Sequence, residues 1–140
     1  MKKENPMAIE ICYRGVAHTW MCDHLGHMNT RHYTAAFDDA MQHFFSNIGY
    51  RRDAGFGWAD VKHEIEYKAE IRPGDLIHVE CTLQRVGTKS VTYEQRLVLT
   101  DTGIVAAVNT ATSVLFDLAA RAAVPLPDVI RQRMSDAAAT

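Results

Sequence analysis

The chain has 140 residues, of which 47% are hydrophobic and 23% are charged. This composition is that of an ordinary globular protein and excludes a disordered chain. The formal net charge of −2 lacks the basic excess of a nucleic-acid-binding protein, so no nucleic-acid partner is expected. No apolar run is long enough for a membrane-spanning helix, and residues 4–6 interrupt any signal peptide. We expect a single cytoplasmic domain over residues 1–140, frayed at 1–6 and 135–140.

Cysteines and histidines give no sign of a metal site. Cys12, Cys22 and Cys81 form no Cys-x-x-Cys pair, which predicts free thiols rather than a disulfide framework or a zinc site. Several histidines lie close together before residue 33, but none belongs to a His-Glu-x-x-His motif. The one partial match begins at His63, within a predicted strand, whereas that motif needs a helix. No metal is therefore expected.

One long helix is predicted near the start of the chain, after a first strand over residues 8–18 and a loop over 20–29. Apolar residues recur with the helical period over residues 32–48, which predicts one buried stripe. Asn29 or Thr30 can cap its start, and Gly49 suits the position after its end. The members of the stripe are Tyr33, Phe37, Ala40, Met41, Phe44, Phe45 and Ile48.

The remainder of the chain is predicted to form strands joined by tight turns. Alternating or continuous apolar patterns predict strands over residues 63–72, 77–83, 91–99 and 104–116, the last one central in the sheet. Residues 125–134 are predicted to form a short closing helix. Because short turns connect antiparallel neighbours, we expect one antiparallel sheet with the helix across one face. The other face leaves room for a partner subunit.

The densest group of chemically useful side chains lies where the loop enters the helix. A helix start presents unpaired N–H groups and partial positive charge, which can stabilise an oxyanion. Asp23 lies just upstream, and a carboxylate there can act as a general base toward water or as a nucleophile. Each residue also has a plain structural interpretation: Asp23 as a turn former, Asn29 as a cap, and His27 as a loop histidine instead of an orienting group.

The segment from Asp23 to Tyr33, with Gly26, His27, Met28 and Asn29 inside it, resembles the signature of hot-dog-fold thioesterases of the 4-hydroxybenzoyl-CoA thioesterase type. The similarity continues through residues 37–40 and, in the correct order, through residues 65–67, 73–75, 86–90 and 125–131. It therefore covers nearly the whole chain. The segment from 23 to 33 is the specific part of this resemblance.

The resemblance implies an α+β hot-dog fold, an antiparallel sheet wrapped around one long central helix. It also implies a homodimer or a dimer of dimers with sites at the subunit interface. The implied substrate is an acyl thioester of coenzyme A or of a carrier protein, with no cofactor beyond the coenzyme A of the substrate. Asp23 would be the catalytic carboxylate, and backbone amides near Asn29 and Thr30 would form the oxyanion hole.

The same resemblance implies where the substrate is held. The acyl pocket is expected beside Tyr33 and Phe37, and the pantetheine arm is expected between subunits. Lys89 and Ser90, in the turn after Gly87, are the candidates for contact with the nucleotide of coenzyme A. The predicted function is therefore acyl-CoA thioester hydrolysis, with His27 completing the catalytic group.

Two other functions remain open at this point. An enoyl-CoA hydratase of the same fold also uses an Asp and a His, but Leu25 and Gly26 stand where that branch carries Asn-Pro. A non-catalytic acyl-CoA-binding module is the third interpretation. Modules of that kind usually carry an attached DNA-binding segment, for which this chain has no spare length and no basic helix.

Overall fold

A computed structural model describes residues 9–49 and 55–139. These residues form two α helices and six strands, with a single 3-10 turn at Thr19–Met21. The elements in chain order are β1 Glu10–Val16, α1 Thr30–Ile48, β2 Phe56–Tyr67, β3 Leu76–Val86, β4 Ser90–Leu99, β5 Val105–Asp117, β6 Ala122–Ala123 and α2 Asp128–Ala139.

The strands form one antiparallel sheet in the order β1-β3-β4-β5-β2, with the short β6 paired to β5. Helix α1 lies across one face of this sheet, and its contacts with the aromatic residues of β2 and β4 fix its position. The predicted architecture, a sheet wrapped around one long helix as in the hot-dog fold, is confirmed. The strand at residues 104–116 was predicted to be central, and β5 indeed has a neighbour on each side, β4 and β2.

Helix α1 has the ends and the buried stripe that its sequence predicts. The Asn29 side chain accepts a hydrogen bond from the Arg31 N–H, which satisfies one free amide of the first turn. Gly49 ends the helix with a φ of 101°, a left-handed conformation that glycine adopts without steric cost. The buried residues of the helix are Tyr33, Ala36, Phe37, Ala40, Met41, Phe44, Phe45 and Ile48.

The predicted bounds of one strand and of the closing helix are wrong. The strand predicted at 63–72 begins earlier and ends at Tyr67, because both the Lys68 and Ala69 N–H groups turn to the Ala106 carbonyl. The closing helix predicted at 125–134 is α2, which begins at Asp128 and ends at Ala139, and the fully buried Met134 side chain holds its middle against the core. The fraying of residues 135–140 stays a prediction. The frayed segment predicted at residues 1–6 lies outside the described residues.

The sheet face beneath α1 is packed with apolar side chains and a few polar ones that are bonded to one another. Tyr93, Gln95 and Leu97 of β4 are each at most 1% exposed beneath the helix. Asn109 of β5 is fully buried beside them and donates to Gln95. None of the described helices is long and apolar enough to cross a membrane.

Candidate active site

The loop before α1 is a tight turn closed by its own backbone. The Asp23 N–H donates to the His27 carbonyl at 3.1 Å, and the Gly26 N–H donates to the Asp23 carbonyl at 2.9 Å. Gly26 has a φ of 85°, which an L side chain rarely adopts, so glycine is needed there. The Met28 N–H then donates to the Ile71 carbonyl at 2.7 Å. This bond fastens the turn to the segment between β2 and β3.

Asp23 is a partly exposed residue, and its carboxylate is held by two donors. Its Oδ1 accepts from the Leu25 N–H at 3.0 Å, and its Oδ2 accepts from the Asn29 Nδ2 at 2.8 Å. The Asn29 bond, followed by the Leu25 bond, lowers the pKa of Asp23 below its ordinary value. Asp23 is therefore ionised at neutral pH, and its two oxygens keep lone pairs that can accept a proton.

The first amides of α1 are only partly used by the cap. The Arg31 N–H donates to the Asn29 side chain at 2.9 Å, and the His32 N–H donates to the Asn29 carbonyl at 3.0 Å. The Thr30 N–H is the first amide of the helix and lies between the cap and the first turn. The positive end of the helix dipole is thus presented at Thr30.

A cleft of about 290 Å³ opens at this end of the helix. Its walls come from the loop and first turn on one side and from the end of β2 on the other. The Tyr33 hydroxyl donates to the Ala69 carbonyl at 3.3 Å, and the Tyr33 ring meets the Tyr67 ring edge-on at 5.2 Å. The lining residues are His27, Met28, Thr30, Tyr33, Tyr67, Lys68, Ala69 and Glu70.

The structure brings one part of the predicted site together. Asp23 and Asn29 are hydrogen-bonded to each other, and His27, Thr30 and Tyr33 line the adjacent cleft. The Asp23 carboxylate is not itself among the lining groups of this cleft. Two hydrogen-bonded links place it beside the cleft. Its main-chain N–H donates to the carbonyl of His27, a lining residue, and its carboxylate accepts from Asn29, which caps the helix.

The other predicted contacts lie elsewhere in the chain. Phe37 is fully buried in the core and accepts a hydrogen bond from Gln95 at its carbonyl, so it does not line this cleft. Lys89 lies in the turn after β3 and Ser90 begins β4, whereas the loop of Asp23 is bonded to the segment just before the start of β3. The length of that strand separates the two ends by roughly 33 Å. Within one chain, Lys89 and Ser90 are therefore far from Asp23.

The cleft also contains residues that the sequence pattern did not indicate. Tyr67, Lys68 and Glu70 fall in a segment whose alternation continues through Ile71, so they were assigned to a strand. Lys68 lies 3.6 Å from Glu66 and is about half exposed, so it brings a cation to the rim of the cleft. Among the described residues, no group of three or more His, Cys, Asp or Glu side chains is arranged to hold a metal ion.

A comparison with protein families identifies the class. The family model described as the thioesterase-like superfamily matches residues 16–134, which include the whole Asp23 loop and nearly all of the sheet. The chain therefore belongs to the thioesterase-like superfamily, and the enzyme class predicted from the motif at residues 23–33 is confirmed. No curated protein sequence matches the chain significantly.

Solved structures share the fold at low sequence identity. A Staphylococcus aureus protein, SAV2348, solved in complex with CoA, has a TM-score of 0.84 and 18% identity, over 96% of this chain and 88% of that one. The gentisyl-coenzyme A thioesterase BH1999 has a TM-score of 0.78 and 20% identity, over 91% and 99% of the two chains. Slr0204 from Synechocystis, a 1,4-dihydroxy-2-naphthoyl-CoA thioesterase, has a TM-score of 0.78 and 16% identity, over 92% and 97%.

Proposed function

We propose that the protein hydrolyses an acyl thioester of coenzyme A, or of a carrier protein, to the free acid and the thiol. The observation that carries this proposal is the bond between the Asp23 carboxylate and the Asn29 amide at 2.8 Å, beside the cleft at the helix start. Structural relatives whose names include a CoA thioester or CoA itself support this substrate class. The reaction needs no cofactor beyond the coenzyme A that the substrate carries.

In this proposal Asp23 is the reacting carboxylate. It is ionised because Asn29 and Leu25 donate to it, so it can take a proton from water or attack the thioester carbonyl itself. In the first case the hydroxide equivalent adds to the carbonyl carbon. In the second an anhydride forms and water then opens it. In both cases the thiolate leaves, and it needs little protonation.

The proposed oxyanion hole is at the Thr30 N–H. The Arg31 and His32 amides already donate to Asn29, whereas Thr30 lines the cleft and its N–H does not serve the cap. The helix dipole adds partial positive charge where the carbonyl oxygen becomes negative. His27 and Tyr33 border the same cleft and are proposed to position the acyl group.

We also propose that the active form is a homodimer, or a dimer of such dimers. Strand β2 is an edge of the described sheet, with β5 as its partner there, and it exposes Val61 and Tyr67 at 59% and 49%. A long exposed edge is a template for pairing with a second copy. Such pairing would allow Lys89 and Ser90 of the second copy to approach the nucleotide of the substrate. The cytoplasmic location stays a prediction.

The test is thiol release from a panel of acyl-CoA thioesters by the wild type, Asp23→Asn and Asp101→Asn. Asp101 is an exposed carboxylate in the turn between β4 and β5 and is the matched control. We expect Asp23→Asn to lower kcat/KM by roughly 10²–10⁴-fold and Asp101→Asn to leave it unchanged. Equal rates for the wild type and Asp23→Asn would remove Asp23 from the mechanism.

The same panel tests the two alternative functions. Hydration of an enoyl-CoA without thiol release would indicate a hydratase, and binding of an acyl-CoA without turnover would indicate a binding module.

A further inference from the structure

The cleft at the start of α1 is short, because its lining residues on the helix lie in the first turn. Tyr33 and Phe37 follow Thr30 on the same face of α1, with the spacing of successive helical turns. Thr30 and Tyr33 line the cleft, whereas Phe37 is fully buried in the core and does not. At about 1.5 Å per residue, Tyr33 lies roughly 5 Å and Phe37 roughly 10 Å beyond Thr30 along the helix. The cleft therefore ends between these two distances.

Two tyrosines, one from each wall, meet in the cleft. The Tyr67 ring, at the last residue of β2, meets the Tyr33 ring edge-on with centroids 5.2 Å apart. Tyr33 is 3% exposed, and its hydroxyl is held by the Ala69 carbonyl at 3.3 Å, whereas Tyr67 is 49% exposed. Tyr33 thus belongs to the packed core, and Tyr67 bounds the cleft from its solvent side. Removal of the Tyr67 ring would widen the cleft without emptying the core.

Next to the tyrosine pair, the wall of the cleft is charged. Lys68 and Glu70 line it directly after Tyr67 in the chain. The Lys68 ammonium lies 3.6 Å from the Glu66 carboxylate, and both side chains are largely exposed, so they keep much of their water. Methylene groups that extended past the tyrosines would rest against these hydrated charges. They would gain little of the free energy that apolar burial gives.

The length and the volume of the cleft lead to the same size of acyl group. An extended chain advances roughly 1.2 Å per bond, because the three backbone bonds of a residue span about 3.5 Å. With the thioester carbonyl at the Thr30 N–H, a depth of roughly 5–10 Å holds about five to nine carbons. The cleft volume of about 290 Å³ corresponds to roughly ten water-sized groups of about 30 Å³ each.

We propose that the protein selects acyl groups of about six to eight carbons and that the Tyr67 ring sets the upper limit. Each methylene buried below that limit raises kcat/KM roughly fourfold, and those beyond it add nothing. Tyr67 is thus a specificity-determining residue, which bounds the space for the acyl group and takes no part in proton transfer. This inference rests on the proposed thioesterase function, and the experiment separates the two.

Thiol release is measured with the straight-chain series from butanoyl-CoA to dodecanoyl-CoA, below the micelle concentration of the longest member and against an enzyme-free blank. The wild type is compared with Tyr67→Ala, Tyr67→Phe and Val61→Ala. Tyr67→Phe keeps the ring. Val61 is the matched control, because it is exposed on the same strand as Tyr67, at 59%, and does not line the cleft. Light scattering and thermal unfolding check the oligomeric state and the folding of each variant.

We expect kcat/KM of the wild type to rise roughly fourfold per methylene up to hexanoyl-CoA or octanoyl-CoA and then to stop rising or to fall. Tyr67→Ala should move the maximum to a chain about two or more carbons longer. Tyr67→Phe and Val61→Ala should keep the maximum of the wild type.

Three results overturn the length limit and leave the thioesterase proposal standing. The first is a maximum that Tyr67→Ala does not move. The second is a wild type that prefers dodecanoyl-CoA. The third is a maximum that Val61→Ala moves as far as Tyr67→Ala does, because the effect would then belong to the edge of β2.

A wild type that hydrolyses none of the series contradicts the proposed hydrolysis of these CoA thioesters. The cleft is then tested by calorimetric binding of the same acyl-CoA series to the wild type and to Tyr67→Ala. Affinity that rises up to octanoyl-CoA in the wild type, and continues to rise beyond it in Tyr67→Ala, supports the length limit. Any other dependence of affinity on chain length overturns it.

Discussion

Asn29 joins the start of α1 to the Asp23 carboxylate with a single side chain. Its Oδ1 accepts from the Arg31 N–H at 2.9 Å, and its Nδ2 donates to the Asp23 Oδ2 at 2.8 Å. The cap of the helix and the ionisation of the carboxylate therefore depend on the same residue. Asn satisfies both needs because its amide carries an acceptor and a donor.

The first prediction concerns the pH dependence of activity in Asn29→Ala. The Asn29 bond favours ionised Asp23, so its loss raises the pKa of Asp23 and moves the acidic limb of kcat/KM to higher pH. Loss of the cap should also lower the free energy of unfolding by about 1 kcal/mol. The measurements are pH–rate profiles for thiol release and chemical denaturation.

Asn29→Asp is the control that separates the two effects. Aspartate keeps an oxygen that can cap α1, so stability should fall less than in Asn29→Ala. It also places a second carboxylate beside Asp23, which should move the acidic limb further upward than alanine does. Acidic limbs that coincide in the wild type and both variants would show that Asp23 is not the titrating group.

The second prediction concerns Gly49, which ends α1 at a φ of 101°. Gly49→Ala should lower the free energy of unfolding by roughly 1–2 kcal/mol, because an L side chain is strained in the left-handed region. The added Cβ would also meet the Arg133 guanidinium, whose Nη1 donates to the Gly49 carbonyl at 3.0 Å. Gly49→Asn adds the same Cβ but tolerates this conformation better, so it should be the more stable variant. Equal losses for Ala and Asn would assign the effect to Arg133.

Helix α1 and its ends were predictable because the information is local. A stripe with the helical period, a capping Asn29 and a terminal Gly49 lie within the element that they define. The Asp23 motif was found for the same reason, since its residues are neighbours in sequence. Its hydrogen bonds to Leu25 and Asn29 required the structure.

The edge strand and the far side of the cleft were not predictable in this way. β2 has mixed exposure and a bulge at Val61, which breaks the alternation from which strands are recognised. Ile71 is buried although the strand has already ended, because it packs in the segment that receives the Met28 N–H. The apolar pattern therefore continued past Tyr67, and the cleft residues from 67 to 70 were assigned to a strand.

The third prediction concerns the buried bridge between α1 and the sheet. The Gln95 Nε2 donates to the Phe37 carbonyl at 2.8 Å, and the Gln95 Oε1 accepts from Asn109 at 2.9 Å. Gln95→Leu leaves the Asn109 amide without this partner, so we expect a loss of about 2 kcal/mol in urea denaturation. Replacing both residues by Leu should cost less than the sum of the single changes. Additive losses would show that the two side chains do not depend on each other.

The fourth prediction concerns the three cysteines. Cys12 and Cys81 are 6% and 0% exposed, and a hydrogen bond with Cys81, together with burial, raises the pKa of Cys12. Cys22 is half-buried, with its thiol directed to the His18 carbonyl at 3.7 Å. A thiol reagent at neutral pH should therefore modify Cys22 quickly in the folded protein, and the other two only after denaturation. Cys22→Ser should remove the fast phase of labelling. The number of labels on each chain is followed over time by mass spectrometry. Fast labelling that persists in Cys22→Ser would show that the segment containing β1 and β3 opens readily, because only its opening exposes Cys12 and Cys81.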